Sequence, residues 1–257
     1  MTSRRWSWVG ACSTGTSHLK AGTGCDDAGA CLEVVTPNGP ILVAVVSDGA
    51  GSAHLSSFGA RIVSRSFCRS ALAFVGRGGR PHEVGAEVVA EWLDDLRDRV
   101  DQAARRRAEH PRSFAATLIG CLVHEDRAAI VHIGDGACAL RLTGEREWRV
   151  PSWPAQGEYA STTYFVTDDP QPRTTIAHVA GKVAEIALFS DGLERLALDF
   201  ATVTAFAPFF ESMFPALRKA PPGRNRLLSA DLRAFLDGPT VIARTDDDKT
   251  LVMARRT

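Results

Sequence analysis

The sequence predicts an α+β protein in which mainly antiparallel sheets pack face to face and helices cover the outside. Strand-like apolar runs arrive in pairs separated by turn signals, as they do where antiparallel strands follow one another. Two long amphipathic stretches, typical of helices, stand between an early and a late group of strands. Strand and helix do not alternate regularly, which argues against a parallel sheet with crossover helices.

Length and composition are typical of a globular protein with one well-filled domain or two small ones. The chain has 257 residues, of which 45% are hydrophobic and 23% charged. Lys plus Arg and Asp plus Glu each number 30, so no overall charge favours nucleic acid or an anionic membrane as a partner. Six cysteines lack zinc-ligand spacing, which predicts a reduced, cytoplasmic protein. No apolar run approaches the length that spans a membrane.

The first half of the chain is predicted to contain three strands and two helices. The strands are expected at residues 6–12, 31–36 and 41–47. The helices are expected over about 52–75 and 82–109, antiparallel to each other on one outer face. The turn signal at 37–40 (PNGP) predicts a hairpin of the second and third strands, and residues 13–24 read as a loop. We interpret Arg105, Arg106 and Arg107 as a solvated helix end whose cations suit the helix dipole.

The second half returns to strands and ends with shorter helices. The strands are expected at residues 115–124, 128–134, 138–143, 146–150, 183–190 and 251–255. The helices are expected over 200–218, interrupted at Pro208, and near 227–236. Residues 151–172 combine prolines, aromatics and turn residues, which predicts an ordered loop or small subdomain.

Three apolar strands each end in an Asp-Gly pair, and this repetition is the main functional signal. The runs ILVAVVS, EIALFS and AIVHIG lead into Asp48, Asp191 and Asp135. A single such carboxylate would be read as a cap on the following helix. A carboxylate at a buried strand end costs free energy unless it is paired or holds a metal. Three of them, each followed by a glycine that allows a sharp turn, indicate a shared cation site.

The acidic residues at element ends are accompanied by no His or Cys ligand pattern. They are Asp26, Asp27, Asp48, Asp135, Asp191 and the run at 246–248. Hard oxygen ligands suit Mg²⁺ or Mn²⁺ rather than zinc. Two such ions about 3.5–4 Å apart can clamp a phosphoryl group during in-line displacement by water.

Six motifs in a fixed order resemble a known family. They are CDDA at 25–28, VSDGAGS at 46–52, SFAATL at 113–118, HIGDGA at 132–137, LFSDGLERL at 188–196 and DDKT at 247–250. Together they resemble the metal-dependent protein phosphatases of the protein phosphatase 2C family. The likeness is greatest to a bacterial subgroup in which a stretch similar to WPAQGEYASTTYFVT, at 153–167, recurs. It implies one catalytic domain over 1–257, a four-layer α-β-β-α sandwich, with a flap-like segment near 151–178.

The resemblance also implies a role for each matched residue. Asp48 would bridge two metal ions and, with Asp191, is expected to be catalytic through a metal-activated water. The implied metal-binding set is Asp27, Asp48, the Gly49 carbonyl, Asp191, Asp247 and, for a third ion, Asp135. Asp26 and Asp27 would act largely through metal-bound waters, and Asp26 and Asp248 would stand behind the direct ligands. The cofactor is expected to be Mg²⁺ or Mn²⁺, with two or three ions.

Three positions depart from the family's pattern. Asp248 stands where an Asn is usual, with Lys249 next. Ala50 stands where some members carry a His that protonates the leaving group. Gly22 occupies the usual place of an arginine that holds the substrate phosphate, so His18 or Lys20 in the same loop is expected to replace it.

Two functions from different classes follow from the resemblance. The first is a serine/threonine phosphatase that acts on a phosphorylated protein, either a cognate kinase or its targets. The alternative is a pseudophosphatase that keeps the fold in order to bind a phosphorylated partner. Ala50 and the missing arginine favour the alternative, whereas retention of Asp48, Asp191 and Asp247 favours the enzyme because a binding module has little use for clustered carboxylates.

Overall fold

The computed structural model of the protein describes residues 5–154 and 163–257. The elements of the first half are β1 (Trp6–Ser13), α1 (Thr16–Ala21), β2 (Ala28–Thr36), β3 (Gly39–Ser47), α2 (Ser56–Gly76), α3 (Ala86–Arg105), β4 (Leu118–Val123) and β5 (Arg127–Ile133). Those of the second half are β6 (Ala137–Leu142), β7 (Thr175–Ala180), β8 (Val183–Phe189), α4 (Glu194–Ala197), β9 (Leu198–Asp199), β10 (Thr204–Ala205), α5 (Ala207–Arg218), β11 (Gly223–Arg224), α6 (Arg226–Leu236), α7 (Pro239–Ile242) and β12 (Lys249–Arg256).

Two five-stranded sheets form the centre of the molecule. One has the order β11-β1-β12-β8-β6 and the other the order β2-β3-β4-β5-β7. Every neighbouring pair is antiparallel except β1 with β11, which is parallel over two residues. The predicted hairpin is present, because β2 and β3 pair from Thr36 opposite Gly39 to Ala28 opposite Ser47. The sheets are therefore mainly antiparallel, as the paired strands predicted.

The strands are apolar at successive positions because both faces of each sheet are covered. Leu42 and Ile119 of one sheet face Ile186 and Val252 of the other across an apolar layer. The opposite faces pack against helices: α2 and α3 cover the sheet of β3, and α5 and α6 cover the sheet of β12. The order of layers is α-β-β-α, and the predicted sandwich is confirmed.

Helices α2 and α3 run antiparallel, as predicted. Trp92, near the start of α3, contacts the edges of Phe67 and Phe74 in the second half of α2, with ring centroids 5.7 Å apart in both cases. At the other end, the Arg107 guanidinium lies 4.9 Å from the ring centroid of Phe58, in the first turn of α2. The end of one helix therefore lies beside the beginning of the other.

Four predicted elements differ from the structure. The predicted loop at 13–24 contains α1, whose mixture of small and polar residues gives no apolar periodicity. Residues 146–150 make a single bridge, Arg149 with Leu140, instead of a strand. The helix expected from residue 200 begins at Ala207, since Pro208 suits only a first turn, and β9 and β10 precede it. The expected flap-like segment ends in β7, an edge strand, while its residues 155–162 lie outside the described part of the chain.

No helix in the described part of the chain is both long and apolar enough to cross a membrane.

Candidate metal centre

Asp48 is fixed at the end of β3 by hydrogen bonds to the segment that leads into β4. The Asp48 N–H donates to Thr117 Oγ1 at 3.0 Å, and the Thr117 N–H donates to the Asp48 carbonyl at 2.8 Å. The Ser47 hydroxyl donates to the Thr117 carbonyl at 2.6 Å. These bonds extend the β3–β4 contact past the end of the sheet and hold the backbone of Asp48 in place.

Gly49 has no room for a side chain. An added Cβ would lie 2.7 Å from the Asp26 carbonyl oxygen and 2.8 Å from Ser56 Cβ. The absence of a side chain therefore lets three segments meet beside Asp48: the start of β2, the end of β3 and the start of α2. The structure explains why glycine follows Asp48, whereas the expected metal contact of its carbonyl stays a prediction.

Asp135 and Asp191 reach the same place from the other strand ends. Asp135 lies in the turn between β5 and β6, where Gly134 has a φ of +108° that favours glycine. Asp191 follows β8 and begins a single 3₁₀ turn. One carboxylate oxygen from each of Asp48, Asp135 and Asp191 lies within 4.8 Å of the other two. The structure thus brings together the three strand-end carboxylates that the Asp-Gly repetition singled out.

The acidic pair before β2 lies behind this group and is held by serine hydroxyls. The Ser190 hydroxyl donates to Asp27 Oδ2 at 2.7 Å, and the Ser56 hydroxyl donates to Asp26 Oδ2 at 2.9 Å. Asp27 is buried, and its carboxyl group approaches that of Asp48 within hydrogen-bonding reach. Asp27 therefore belongs to the centre, and Asp26 supports it from the side of α2.

The carboxyl groups disfavour one another's ionisation. Burial raises the pKa of Asp27 to about 7. Burial, followed by the charges of Asp135 and Asp247, raises the pKa of Asp191 to about 6. Burial and then the nearby Asp27 and Asp191 raise the pKa of Asp48 well above its usual range. Without a cation, ionising all of these carboxyl groups costs free energy, so the cluster favours a bound cation or a proton.

The donor set fits a hard divalent cation. None of the ion pairs found among the described residues includes Asp27, Asp48, Asp135, Asp191 or Asp247. Buried carboxylate oxygens without a hydrogen-bond partner in the described part of the chain include Oδ1 of Asp27, of Asp135 and of Asp191. Unpartnered anionic oxygens that converge without a neutralising side chain are the ligand type that Mg²⁺ and Mn²⁺ take.

Asp247 lies at the rim of the centre. Its charge contributes to the raised pKa of both Asp135 and Asp191, although it is outside the group of three oxygens within 4.8 Å. Lys249, two residues later, is fully buried, and its ammonium donates to the carbonyls of Asp247 at 3.2 Å and Thr14 at 3.4 Å. The lysine thus ties the backbone of Asp247 to the segment before α1.

The two residues expected to bind phosphate differ in their surroundings. His18 directs Nδ1 to Asp248 Oδ2 at 2.9 Å, whereas Lys20 is exposed. Burial acts to lower the pKa of His18, but the charge and hydrogen bond of Asp248, together with the charges of Asp26 and Asp247, outweigh burial and raise the pKa. His18 is therefore a partner of Asp248 in this structure, and phosphate binding by either residue stays a prediction.

Glu194 is a carboxylate of the centre to which the sequence analysis gave no role. Burial, then the charges of Asp191 and Asp135, raise its pKa to about 8, and its Oε1 is buried without a hydrogen-bond partner among the described residues. The signal that could have revealed it is its spacing, since it comes three residues after Asp191 across one helical turn.

Comparisons with known proteins agree on one family. The sequence model of the family described as protein phosphatase 2C matches residues 14–237. A protein of Escherichia coli (strain K12), serine/threonine-protein phosphatase 3, is 34% identical in an alignment of 255 positions that covers 97% of this chain and 98% of that protein.

Solved structures of low sequence identity have the same fold. A bacterial serine phosphatase is 14% identical with a TM-score of 0.63, covering 97% of both chains. The Staphylococcus aureus serine/threonine phosphatase Stp1 is 15% identical with a TM-score of 0.59, covering 99% of this chain and 95% of that one. The catalytic domain of the phosphatase PstP in complex with two manganese ions is 16% identical with a TM-score of 0.58, covering 99% and 100%.

Proposed function

The chain belongs to the protein phosphatase 2C family, and from that premise we propose that it is a metal-dependent protein serine/threonine phosphatase. Its reaction would be hydrolysis of phosphoserine and phosphothreonine by a water activated at a site for two Mg²⁺ or Mn²⁺ ions. The observation that carries the proposal is the convergence of Asp48, Asp135 and Asp191 oxygens within 4.8 Å. The expected substrate is a phosphorylated protein, a cognate kinase or its targets, in the cytoplasm.

The ligands would come from five carboxylates and one carbonyl. Asp48, the Gly49 carbonyl, Asp191 and Asp247 would hold two ions, with Asp27 acting largely through water; Asp135 would serve a third. The chemistry that such ions supply when bound is to lower the pKa of a coordinated water and to offset charge on phosphoryl oxygens.

The chain's own contribution is to hold these groups in place before substrate arrives. Thr117 fixes the backbone of Asp48, Ser190 orients the carboxyl group of Asp27, and Lys249 holds the backbone of Asp247. Such preorganisation means that the site does not reorganise as charge develops during the reaction. A water oxygen would form the new bond to phosphorus, and the bond from phosphorus to the Ser or Thr oxygen would break. Water or another group of the site would supply the proton to that oxygen, because Ala50 carries no acid.

Hydrolysis of an aryl phosphate and of a phosphoserine peptide, with Mn²⁺ or with EDTA, tests the proposal. Wild type should turn over both substrates only with metal. Asp191→Asn should lose more than about 100-fold in kcat, because an amide lacks the charge that holds the ion. The matched control is Asp231→Asn, at an exposed position of α6, and it should keep full activity. Turnover in EDTA, or normal turnover by Asp191→Asn, would refute the proposal.

The pseudophosphatase alternative has a separate signature in the same experiment. It predicts that wild type hydrolyses neither substrate with Mn²⁺, yet binds the phosphoserine peptide, measured by fluorescence anisotropy.

A further inference from the structure

A groove lined by five arginines runs between α2 and α3. The lining arginines are Arg65, Arg69, Arg99, Arg106 and Arg107, and the volume is about 290 Å³. We call this surface the arginine groove. It lies on the outer helical layer and is separate from the carboxylate cluster at the strand ends.

Packing of the two helices creates the groove. Arg65 and Arg69 are one turn apart on α2, and Arg106, the αR residue directly after α3, comes two turns after Arg99, so each pair forms a stripe along its helix. The contact of Phe67 with Trp92 places the stripes side by side. The sequence shows the arginines as separate runs, and the antiparallel packing combines them.

Among the described residues, the arginines of the groove make no ion pair. None of the ion pairs found within residues 5–154 and 163–257 involves any of the five arginines. Four of the five are exposed, and Arg99 is half-buried. Successive residues of an α-helix are rotated by about 100° around its axis. Three carboxylates of α3, those of Asp94, Asp98 and Asp101, therefore point about 100–160° away from Arg99. Asp95 precedes Arg99 by one turn and does not line the groove.

One arginine is positioned by aromatic rings. The Arg107 guanidinium lies 4.9 Å from the ring centroid of Phe58 and 5.9 Å from that of Phe114, and it donates to the Ala103 carbonyl at 3.3 Å. Stacking of this kind restricts the long side chain before a partner arrives, so less conformational entropy is lost when the partner binds. The groove therefore offers several unpaired cations, at least one of them held in place, to an anionic partner.

We propose that the arginine groove binds an acidic segment of the phosphoprotein substrate. This rests on the proposed function. Helix α2 connects the groove to the metal centre, because Ser56 in its first turn donates to Asp26 at 2.9 Å. Arg65 and Arg69 follow Ser56 by 9 and 13 residues, about 14 and 20 Å along the helix. An extended peptide covers that distance in about four to six residues, so the acidic run should lie about four to six residues from the phosphorylated residue.

The size of the groove favours a peptide over other polyanions. Arg99 and Arg106 are about 10 Å apart in the direction of the α3 axis, the length of about three extended residues. Nucleic-acid binding typically uses a wider basic surface with 6–10 phosphate contacts, and the net charge of the whole chain is zero. A short acidic run matches both the length and the charge of the groove.

Binding without catalysis gives the first test. A fluorescein-labelled, unphosphorylated peptide with four consecutive Asp or Glu residues is titrated with protein at low salt. The variant Arg65→Glu/Arg69→Glu/Arg106→Glu should bind it at least about tenfold more weakly than wild type. The control Arg146→Glu/Arg226→Glu/Arg244→Glu makes the same charge change at exposed positions outside the groove and should bind as wild type. Thermal unfolding of each variant checks that it is folded.

Kinetics with two phosphoserine peptides give the second test. One has an acidic run five residues from the phosphoserine, and the other has neutral residues there. The groove variant should lose about tenfold in kcat/KM on the acidic peptide through KM, with kcat unchanged, and should keep wild-type rates on the neutral peptide and an aryl phosphate. The advantage of the acidic peptide in wild type should shrink as NaCl is raised.

The outcomes separate this inference from the proposed function. Equal kcat/KM for both peptides in wild type, with no dependence of peptide binding on the groove arginines, would overturn the inference while leaving the phosphatase intact. Loss of hydrolysis with retained, groove-dependent peptide binding would overturn the phosphatase and support the groove as an acidic-peptide site. The inference of an acidic-peptide site would also be overturned if a DNA duplex or phosphatidylserine vesicles bound more tightly than the peptide and their binding depended on the groove arginines. The groove would then be a site for that polyanion.

Discussion

Asp248 accepts hydrogen bonds from a segment more than 200 residues earlier. Its Oδ1 accepts the Gly15 N–H at 2.6 Å, and its Oδ2 accepts the Asp26 N–H at 2.5 Å and faces His18 Nδ1 at 2.9 Å. An Asn, the usual residue of the family here, has one acceptor oxygen and would turn its NH₂ group towards a donor. The departure from Asn to Asp therefore suits the way this chain anchors α1 and the acidic pair.

Asp248→Asn is expected to lower the free energy of unfolding by about 1–3 kcal/mol, because a buried donor loses its acceptor. It should also weaken Mn²⁺ binding by about 10- to 100-fold, since the segment of Asp26 and Asp27 loses an anchor. Urea unfolding and calorimetric titration with Mn²⁺ measure the two effects. The control Asp246→Asn, at an exposed neighbouring position, should change neither. Unchanged stability and metal affinity in Asp248→Asn would show that an amide serves equally well.

The backbone of helix α2 packs directly against the backbone of the segment before β4. A Cβ on Gly59 would lie 2.1 Å from the Phe114 carbonyl oxygen, so glycine sets how closely the helix packs. The first turn of the same helix carries Ser56, which holds Asp26. The position of α2 therefore affects both the metal centre and the arginine groove.

Gly59→Ala is expected to lower the free energy of unfolding by about 1–3 kcal/mol, because overpacking at this contact outweighs the better helix propensity of Ala. The control Gly76→Ala makes the same change in the last turn of α2, where an added Cβ meets nothing within 4 Å. The control should be neutral or stabilising by up to about 1 kcal/mol. Denaturant unfolding of both variants measures the difference. If both variants were stabilised, α2 would be able to shift away from the Phe114 carbonyl without loss of free energy of unfolding.

The whole molecule is neutral in formal charge but concentrates opposite charges in two places. The carboxylates converge at the strand ends on one edge of the sandwich, and the arginines line the outer helical layer. The first concentration is half-buried, and its carboxylates repel one another strongly, so its charge should control the stability of the metal-free protein. The second is exposed, so its charge should act on partners more than on folding.

Stability without metal is expected to fall as pH rises from about 4 to 7. Over that range the folded chain keeps protons on Asp191 and Asp27, with raised pKa values of about 6 and 7, whereas the unfolded chain has released them. Saturating Mg²⁺ removes the penalty, so the gain in Tm over EDTA should be larger at about pH 7.5 than at pH 5. Scanning fluorimetry measures both, and Asp191→Asn should reduce the difference. An equal gain at the two pH values would contradict this explanation.

Much of the fold and the central site could be predicted because their signals are local. A strand covered on both faces must be apolar along its length, and such apolar runs predicted β3, β5 and β8. The Asp-Gly pairs after these strands identified Asp48, Asp135 and Asp191, whose oxygens the structure brings together. The order of the six motifs indicated the protein phosphatase 2C family, which the comparisons confirm. The metal roles of individual residues stay predictions.

Other features depend on contacts between distant parts of the chain. The polar helix α1 and the edge strand β7 lack a strong apolar period, so their residues gave no clear local signal. The partners of Asp248 come from the other end of the sequence, and the pKa of Glu194 is raised in part by Asp135, which lies in the distant turn between β5 and β6. The arginine groove exists only where α2 packs on α3. Sequence periodicity shows which face of an element is buried, but which residues meet across that face is set by strand register and helix packing.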